Sequence, residues 1–316
     1  MKPQLGVVTV TYNSVDVLPD FLTSVRRQDL PAGSYKVYAI DNASSDGTID
    51  LLRTQDVPIS VLANDDNVGF SAASNQGIRQ ALADGCDYVL LLNNDTIFEP
   101  GHFRNLLAVA HRTGARVLTP RIDKVDPPGG FWYAGGAVRP WRAFTPVLPQ
   151  PGDRARRAEP SPPTRVGFAS GCCLLIESSV FFEVGMLDED YFVYCEDMDF
   201  SLRLERQRIP IVYADEIRMR HKVGSLTGGH TSAFSLTERT RNQVVLTRKH
   251  AGWLKRIFGL LYLQAWMIAR CVTRRDDVAG LRHREHAFVG GLRAKLTTPP
   301  IPCRGPEAGS AIPEGA

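Results

Sequence analysis

Between residues 5 and 92 one pattern recurs four times: a short apolar, often β-branched run, followed by a segment with helical spacing. LGVVTVTY (5–12) precedes Val17, Leu18, Phe21, Leu22 and Val25, which recur at helical intervals. Residues 35–40 precede a helix-like stretch over 48–55, 59–62 precede one over 71–84, and DYVLLL (87–92) ends the series. This alternation predicts βαβ units: an α/β fold with a mostly parallel sheet and helices on both faces. Such sheets bind ligands at the carboxyl ends of their strands. Three of those ends here carry polar clusters, at Asn13, Asp41 and Asp95.

Further along, nine prolines punctuate residues 125–165, which read as a long surface loop with one strand candidate, FWYAGGAV (131–138). Order returns at Val166. GFASGCCLLI (167–176) is apolar, and Ser178 is placed to cap a short helix to Val184. A helix starting near Glu196 gathers acids at its positive end and pairs Asp199 with Arg203 at i,i+4. IPIVYA (209–214) reads as a strand, and the chain beyond 236 as mainly helical. The expected organisation is one α/β unit over 1–235, in which the proline-rich stretch 125–165 separates a first half to about 120 from a second half over 165–235. A basic helical extension follows over 236–296, then a flexible tail over 297–316.

At 316 residues, with 43% hydrophobic and 22% charged residues, the chain has the balance of a globular protein, which excludes wholesale disorder and a polytopic membrane protein. The net charge of +3 hides an acidic body (−6 over 1–238) and a basic segment (+10 over 239–295). The uncharged run 257–269, flanked by Lys255, Arg256, Arg270, Arg274 and Arg275, is too short to span a bilayer. With Trp253, Tyr262 and Trp266, the stretch 253–275 fits either an in-plane helix on an anionic membrane or a helix packed on the body. Six cysteines without a CxxC, and an N-terminus without a long apolar stretch before a cleavage site, set the expectation of reduced thiols and a cytoplasmic location, with peripheral contact at the inner membrane face.

Several clusters could carry chemistry. LLLNNDT (90–96) ends an apolar strand in one carboxylate, Asp95, flanked by Asn93 and Asn94; it suits either a divalent cation bridging phosphates or a simple Asx turn. Asp41, at the head of DNASSDG, can accept from a nucleobase N–H or a ribose hydroxyl; the alternative for this cluster is a helix N-cap, which suits Asp46 in particular. NVGFSAASNQG (67–77) is small enough for close backbone approach to a ligand. Neither a P-loop nor a GxGxxG occurs. Tyr194–Asp199 offers carboxylates either for deprotonating an acceptor hydroxyl or as ordinary acids at a helix start. His221 gains importance only if it converges on Asp95.

Taken in order, TVTYN (9–13), DNASSDGT (41–48), NVGFSAASNQG, LLNNDT, GFASGCCLLI, FVYCEDMD (192–199) and HKVGS (221–225) resemble family-2 glycosyltransferases of GT-A fold, and within them the bacterial rhamnosyltransferase-like branch. The resemblance covers roughly residues 5–245 and implies a catalytic unit over 1–235, with a nucleotide-binding half to about 120 and an acceptor half over 165–235. It implies that Thr11, Tyr12, Asn13 and Asp41 hold the nucleotide base, that Asn67 and Gly69 lie beside the nucleotide, and that Asn93-Asn94-Asp95 takes the place of an Asp-x-Asp motif. Asp95 is then the carboxylate ligand for Mg²⁺ or Mn²⁺, completed by His221, with Asn93 and Asn94 toward the nucleotide. Asp197 is the implied catalytic base, with Glu196, Asp199 and Tyr194 supporting it or the acceptor. The implied reaction is inverting transfer of one sugar, such as L-rhamnose from a dTDP donor, or another dTDP- or UDP-sugar, to a glycan or polyprenyl-linked acceptor, without nucleic acid. The competing classes are a nucleotidyltransferase, whose glycine-rich basic loop is missing after the first strand, and a non-catalytic glycan-binding homologue. No QxxRW is present, which disfavours a processive synthase.

Overall fold

A computed structural model describes residues 3–126, 130–148, 161–222 and 232–297. Its first half follows the expected alternation: β1 (Leu5–Thr11), α1 (Leu18–Arg26), β2 (Tyr35–Asp41), α2 (Thr48–Arg53), β3 (Ile59–Ala63), α3 (Phe70–Ala83) and β4 (Tyr88–Leu92). Then come β5 (Thr96–Phe98), α4 (His102–Thr113), β6 (Val117–Lys124), β7 (Phe131–Tyr133), β8 (Ala137–Val138), a 3-10 turn (Pro140–Arg142) and β9 (Pro146–Val147). After β10 (Thr164–Val166) come β11 (Cys173–Glu177), α5 (Ser178–Val184), α6 (Glu196–Arg206) and β12 (Ile211–His221). The described chain ends in α7 (Ala233–His250), α8 (Trp253–Val272) and α9 (Val278–Arg293).

The main sheet runs β10-β12-β6-β11-β4-β1-β2-β3, with β5 on β12 and β7 on β6. β4, β1, β2 and β3 are parallel, and β11 enters antiparallel between β4 and β6. Both faces are covered, so the strands read as continuous apolar runs. Alternate residues still divide between the faces: Val7, Leu90, Leu92 and Leu175 pack with Phe21 and Phe103 of α1 and α4, whereas Val8, Val89, Leu91 and Leu174 pack with Ile78, Phe181 and Phe200 of α3, α5 and α6.

Several local expectations need correction. Ser178 is the first residue of α5 rather than its cap, and its hydroxyl donates to the Cys86 carbonyl (2.6 Å). Residues 131–138 form two short strands instead of one, because the chain turns at Gly135 with φ +80°. The apolar run 167–176 contributes a strand only from Cys173. β12 continues seven residues past the expected strand end at 214, to His221, because Arg218, Arg220 and His221 pair with β6 while Met219, Arg220 and His221 also pair with β5. Parts of the proline-rich loop (127–129 and 149–160), Val223–Ser225 and the tail beyond Thr297 lie outside the described residues.

Candidate functional site

The parallel register sets Thr11 beside Asp41 at adjacent strand ends. Asp41 is fully buried and accepts from the Thr11 hydroxyl (2.7 Å), the Ser44 hydroxyl (2.6 Å) and the Ser44 amide (2.8 Å). Its carboxylate therefore shapes the loop over 41–48 before it meets any ligand. Asp46 accepts from the Val15 amide (3.0 Å) and from the Thr48 amide and hydroxyl, tying that loop to the one after β1. Asn13 adopts φ +47° and accepts from the Ser45 amide (2.9 Å), while Tyr12 stands exposed beside it. Asn42 donates to the Gly69 carbonyl (3.2 Å), and Asn67 accepts from the Gly69 amide (3.0 Å). Gly69 has φ +87°, and a side chain there would strike Phe192 at 2.7 Å; this position needs glycine on both counts.

Asn94 was expected to face the nucleotide, but it is buried, and its amide donates to the Val10 carbonyl and the Ser14 hydroxyl (both 2.9 Å). Its NH₂ group is spent joining the ends of β4 and β1. Asn93, half-buried, is anchored through its backbone to Cys172 (2.9 Å).

Asp95 and His221, remote in sequence, do converge. β5 leaves Asp95 and pairs antiparallel with β12, setting Thr96 opposite His221. The His221 Nε2 then lies 3.0 Å from the Asp95 Oδ1, both side chains nearly buried. Burial works against a charged imidazole, but the Cys172 sulfur and the Asp95 carboxylate raise its pKa above the usual histidine value. The Trp132 ring meets His221 edge-on at 4.7 Å. A carboxylate and an imidazole at one corner fit a hard divalent cation that takes its remaining ligands from diphosphate oxygens and water. Among the described residues no group of three or more His, Cys, Asp or Glu side chains is arranged to hold a metal unaided.

Trp132 is also a wall of a cavity of about 290 Å³ that reaches Asp197. Tyr133, Phe168 and Met198 line it, together with Tyr194, Arg239 and Gln243. Asp197 accepts from the Gly171 amide (3.2 Å) and the Met198 amide (2.7 Å). Burial pushes its carboxyl to about 6, against the lowering effect of those amides and Arg239. Glu196 is buried too, outside the cavity wall, and is pushed higher still by burial and by the Asp197 charge. Both carboxyls are therefore held above the usual carboxylate range, and of the two Asp197 is the one that lines the cavity, where it could act as a general base.

Asp199 does not line this cavity. It is buried, 2.7 Å from the Arg203 Nε and 2.6 Å from the His250 Nε2. Although burial opposes it, His250 and Arg203 hold its carboxyl below the usual aspartate range. Tyr194 lines the cavity; its hydroxyl lies 3.1 Å from the Ser235 hydroxyl and its ring beneath Arg239.

Sequence reasoning missed the residues of α7 that hold this corner. Tyr194 and Cys195 both take left-handed backbone (φ +71° and +74°), a conformation that non-glycine residues keep only when their surroundings enforce it. Buried Asn242 enforces it by donating to the Val193 and Tyr194 carbonyls (2.8 and 3.1 Å). Lys249 pairs with Asp188 and Asp190, and His250 with Asp199. Thr297, expected to begin the tail, bonds Asp190 through its amide and hydroxyl (both 2.9 Å).

α8 packs on the body along one face and exposes the other. Gly259, Leu263 and Met267 are buried against the body, while Trp253 (70% exposed), Leu254, Ile257, Phe258 (61%) and Leu261 face outward. Among the described residues no helix is long and apolar enough to cross a membrane.

Comparison with known proteins adds three findings. The family model described as "Glycosyl transferase family 2" matches residues 6–185. The N-acetylglucosaminyl-diphospho-decaprenol L-rhamnosyltransferase of Mycobacterium tuberculosis is 30% identical over 92% of this chain and 99% of its own, and the dTDP-rhamnosyl transferase RfbF of Shigella flexneri is 21% identical over 93% and 97%. Among solved structures, GalNAc-T7 with UDP, GalNAc and Mn²⁺ superposes with a TM-score of 0.62 at 17% identity (92% of this chain, 56% of that one), and S. aureus TarS 1–349 with UDP superposes at 0.59 and 14% (92% and 80%).

Proposed function

Because the chain belongs to glycosyl transferase family 2 and has a GT-A fold, and so is a glycosyltransferase, we propose that it moves a single L-rhamnose from a dTDP donor to a hydroxyl of a glycan or lipid-linked acceptor in cell-surface polysaccharide synthesis, with inversion. The observation that carries this reading is the cavity: one carboxylate poised near neutrality sits in an aromatic-walled space sized for a sugar, and Trp132 joins that space to the Asp95–His221 corner. Aromatic faces suit the apolar faces of a pyranose, and Asp197 suits its hydroxyl.

Asp197 takes the proton from the acceptor hydroxyl as its oxygen attacks the anomeric carbon. The bond from that carbon to the diphosphate oxygen breaks, its electron pair leaves with the nucleoside diphosphate, and the configuration inverts. One base suffices because the leaving group is already activated. The loops at Tyr12–Asn13, Asp41–Ser45 and Asn67–Gly69 bind the nucleotide. Asp95 and His221 would hold Mg²⁺ or Mn²⁺, which supplies positive charge to the leaving diphosphate. The outward face of α8, with Lys255 and Arg256 on its protruding first turns, lies in the surface of an anionic membrane and keeps the enzyme beside a lipid-linked acceptor.

A panel of dTDP-, UDP- and GDP-sugars with Mg²⁺ or Mn²⁺, read by nucleoside diphosphate release, tests the reading. dTDP-rhamnose is expected to turn over fastest once acceptor is added. Faster turnover of another donor would reassign the sugar.

A further inference from the structure

Arg239 lines the same cavity as Asp197 and has no part in the scheme above. Its guanidinium lies over the Tyr194 ring, 4.4 Å from the centroid. Its Nε is buried without a hydrogen-bond partner among the described residues, and no carboxylate there lies within ion-pair distance of it. Its charge is nonetheless close enough to act on both Asp197 and Cys195. The neighbouring cations of α7 are committed: Lys249 to Asp188 and Asp190, Arg241 to the Asp190 carbonyl, Arg248 to the Gly291 and Ala294 carbonyls. A partly desolvated guanidinium that faces a cavity with its Nε unpartnered and no direct ion pair among the described residues is a site for an anion.

We infer that Arg239 binds a phosphate carried by the acceptor, so that the cavity selects a sugar phosphate or diphosphate over a neutral glycoside. The inference rests on the glycosyl-transfer reading and deepens it. In the proposed scheme the donor diphosphate belongs to the Asp95–His221 corner, which meets the cavity at Trp132 and along Ser170–Cys172. Arg239 sits instead on the α7 wall with Tyr194 and Gln243, and Gln243 donates to the Thr145 hydroxyl (2.7 Å). That contact joins the wall to the strap over residues 140–148. The strap's Pro146 and Leu148 line the cavity, while its other end packs on α8, where a side chain at Gly259 would meet the Pro140 carbonyl at 2.8 Å. Trp141, Val147 and Leu148 are exposed along the strap. An acceptor with a sugar at Asp197, a phosphate on Arg239 and an apolar tail along the strap meets complementary chemistry at each position.

The test compares N-acetylglucosamine bearing a short alkyl phosphate at C1 with the matching neutral alkyl glycoside, at saturating dTDP-rhamnose. Wild type should favour the phosphate by about 10- to 100-fold in kcat/KM, the range for a hydrogen bond to a charged group. Arg239→Gln should bring that ratio to within about threefold, and Arg239→Lys, which keeps the charge, should restore part of it. A wild-type ratio near one, a ratio unmoved by Arg239→Gln, or a weakening of dTDP affinity in its place would overturn the assignment. Binding of N-acetylglucosamine 1-phosphate, followed by saturation-transfer NMR, separates this outcome from failure of the transfer reading. If dTDP-rhamnose is not turned over but the sugar phosphate binds in an Arg239-dependent way, the anion site stands and the donor is wrong; no Arg239-dependent binding removes the site.

Discussion

Replacing Asp197 by Asn keeps the shape of the side chain and removes its basicity, and two independent quantities should move. Transfer should fall by about 10²- to 10⁴-fold, the usual contribution of a positioned base. Stability should move the other way. The folded protein holds the Asp197 proton at about 6, against 3.8 for an ordinary aspartate, so above pH 6 the native state carries a charge that the unfolded chain accommodates more easily. At about 1.4 kcal/mol per pH unit, that gap is an upper bound of ~3 kcal/mol. The Gly171 and Met198 amides lose a charged acceptor in the variant, which brings the expected gain to about 1–2 kcal/mol. The sign fixes the window: the gain is full above pH 6, shrinks as pH falls through it, and is gone below about 4. Chemical denaturation of both proteins at pH 4, 6 and 8 reads the stability, and the pH profile of wild-type kcat/KM should show an acid limb near 6. A variant that keeps most of its turnover, or is less stable than wild type at pH 8, would refute a buried carboxylate strained into service as a base.

Three further outcomes follow from the same geometry. Asp95→Ala should abolish cation-dependent binding of dTDP, measured calorimetrically, and His221→Ala should weaken it less; full wild-type activity in EDTA would show that the diphosphate is neutralised without a metal. Asp199→Ala should cost about 3–5 kcal/mol in denaturant unfolding, because it strands Arg203 and His250; a loss of turnover at unchanged stability would return Asp199 to the reaction. In liposome flotation with anionic vesicles, replacing Trp253, Ile257, Phe258 and Leu261 by Ser should abolish recovery, and equal recovery would leave α8 as a surface helix with an apolar face.

The parallel half of the sheet was legible because period-2 and period-3.6 patterns are local, and so were the strand-end clusters that the register then aligned. The start of α6 and the Asp199–Arg203 pair were legible for the same reason. What stayed hidden depends on partners remote in sequence. Nothing near Asn94 announces that its amide will be taken by Val10 and Ser14, and nothing near Asp41 that Thr11 and Ser44 will surround it. β12 reads as ending at 214 because Asp215 and Glu216 break the apolar run, although Ile217, Met219 and His221 alternate with Glu216, Arg218 and Arg220 in a strand pattern of their own, which β5 and β6 then pair. Asn242, Arg239 and His250 sit on a helix whose polar residues look like a solvated face until the segment over 188–199 is laid against them.

Asp95 and His221 meet because β5 and β12 pair, and this makes the corner depend on two stretches far apart in the chain. The β1–β4 unit closes through local crossovers, whereas the β5–β12 junction brings together distant stretches of chain and bears the larger loop-closure cost. A chain halted before residue 221 therefore carries β1 to β4 and their strand-end loops but lacks the imidazole of this corner. A ligand engaging both residues recognises the finished sheet alone; at a hundred times its Kd it would add about 2.7 kcal/mol to that state and nothing to its precursors.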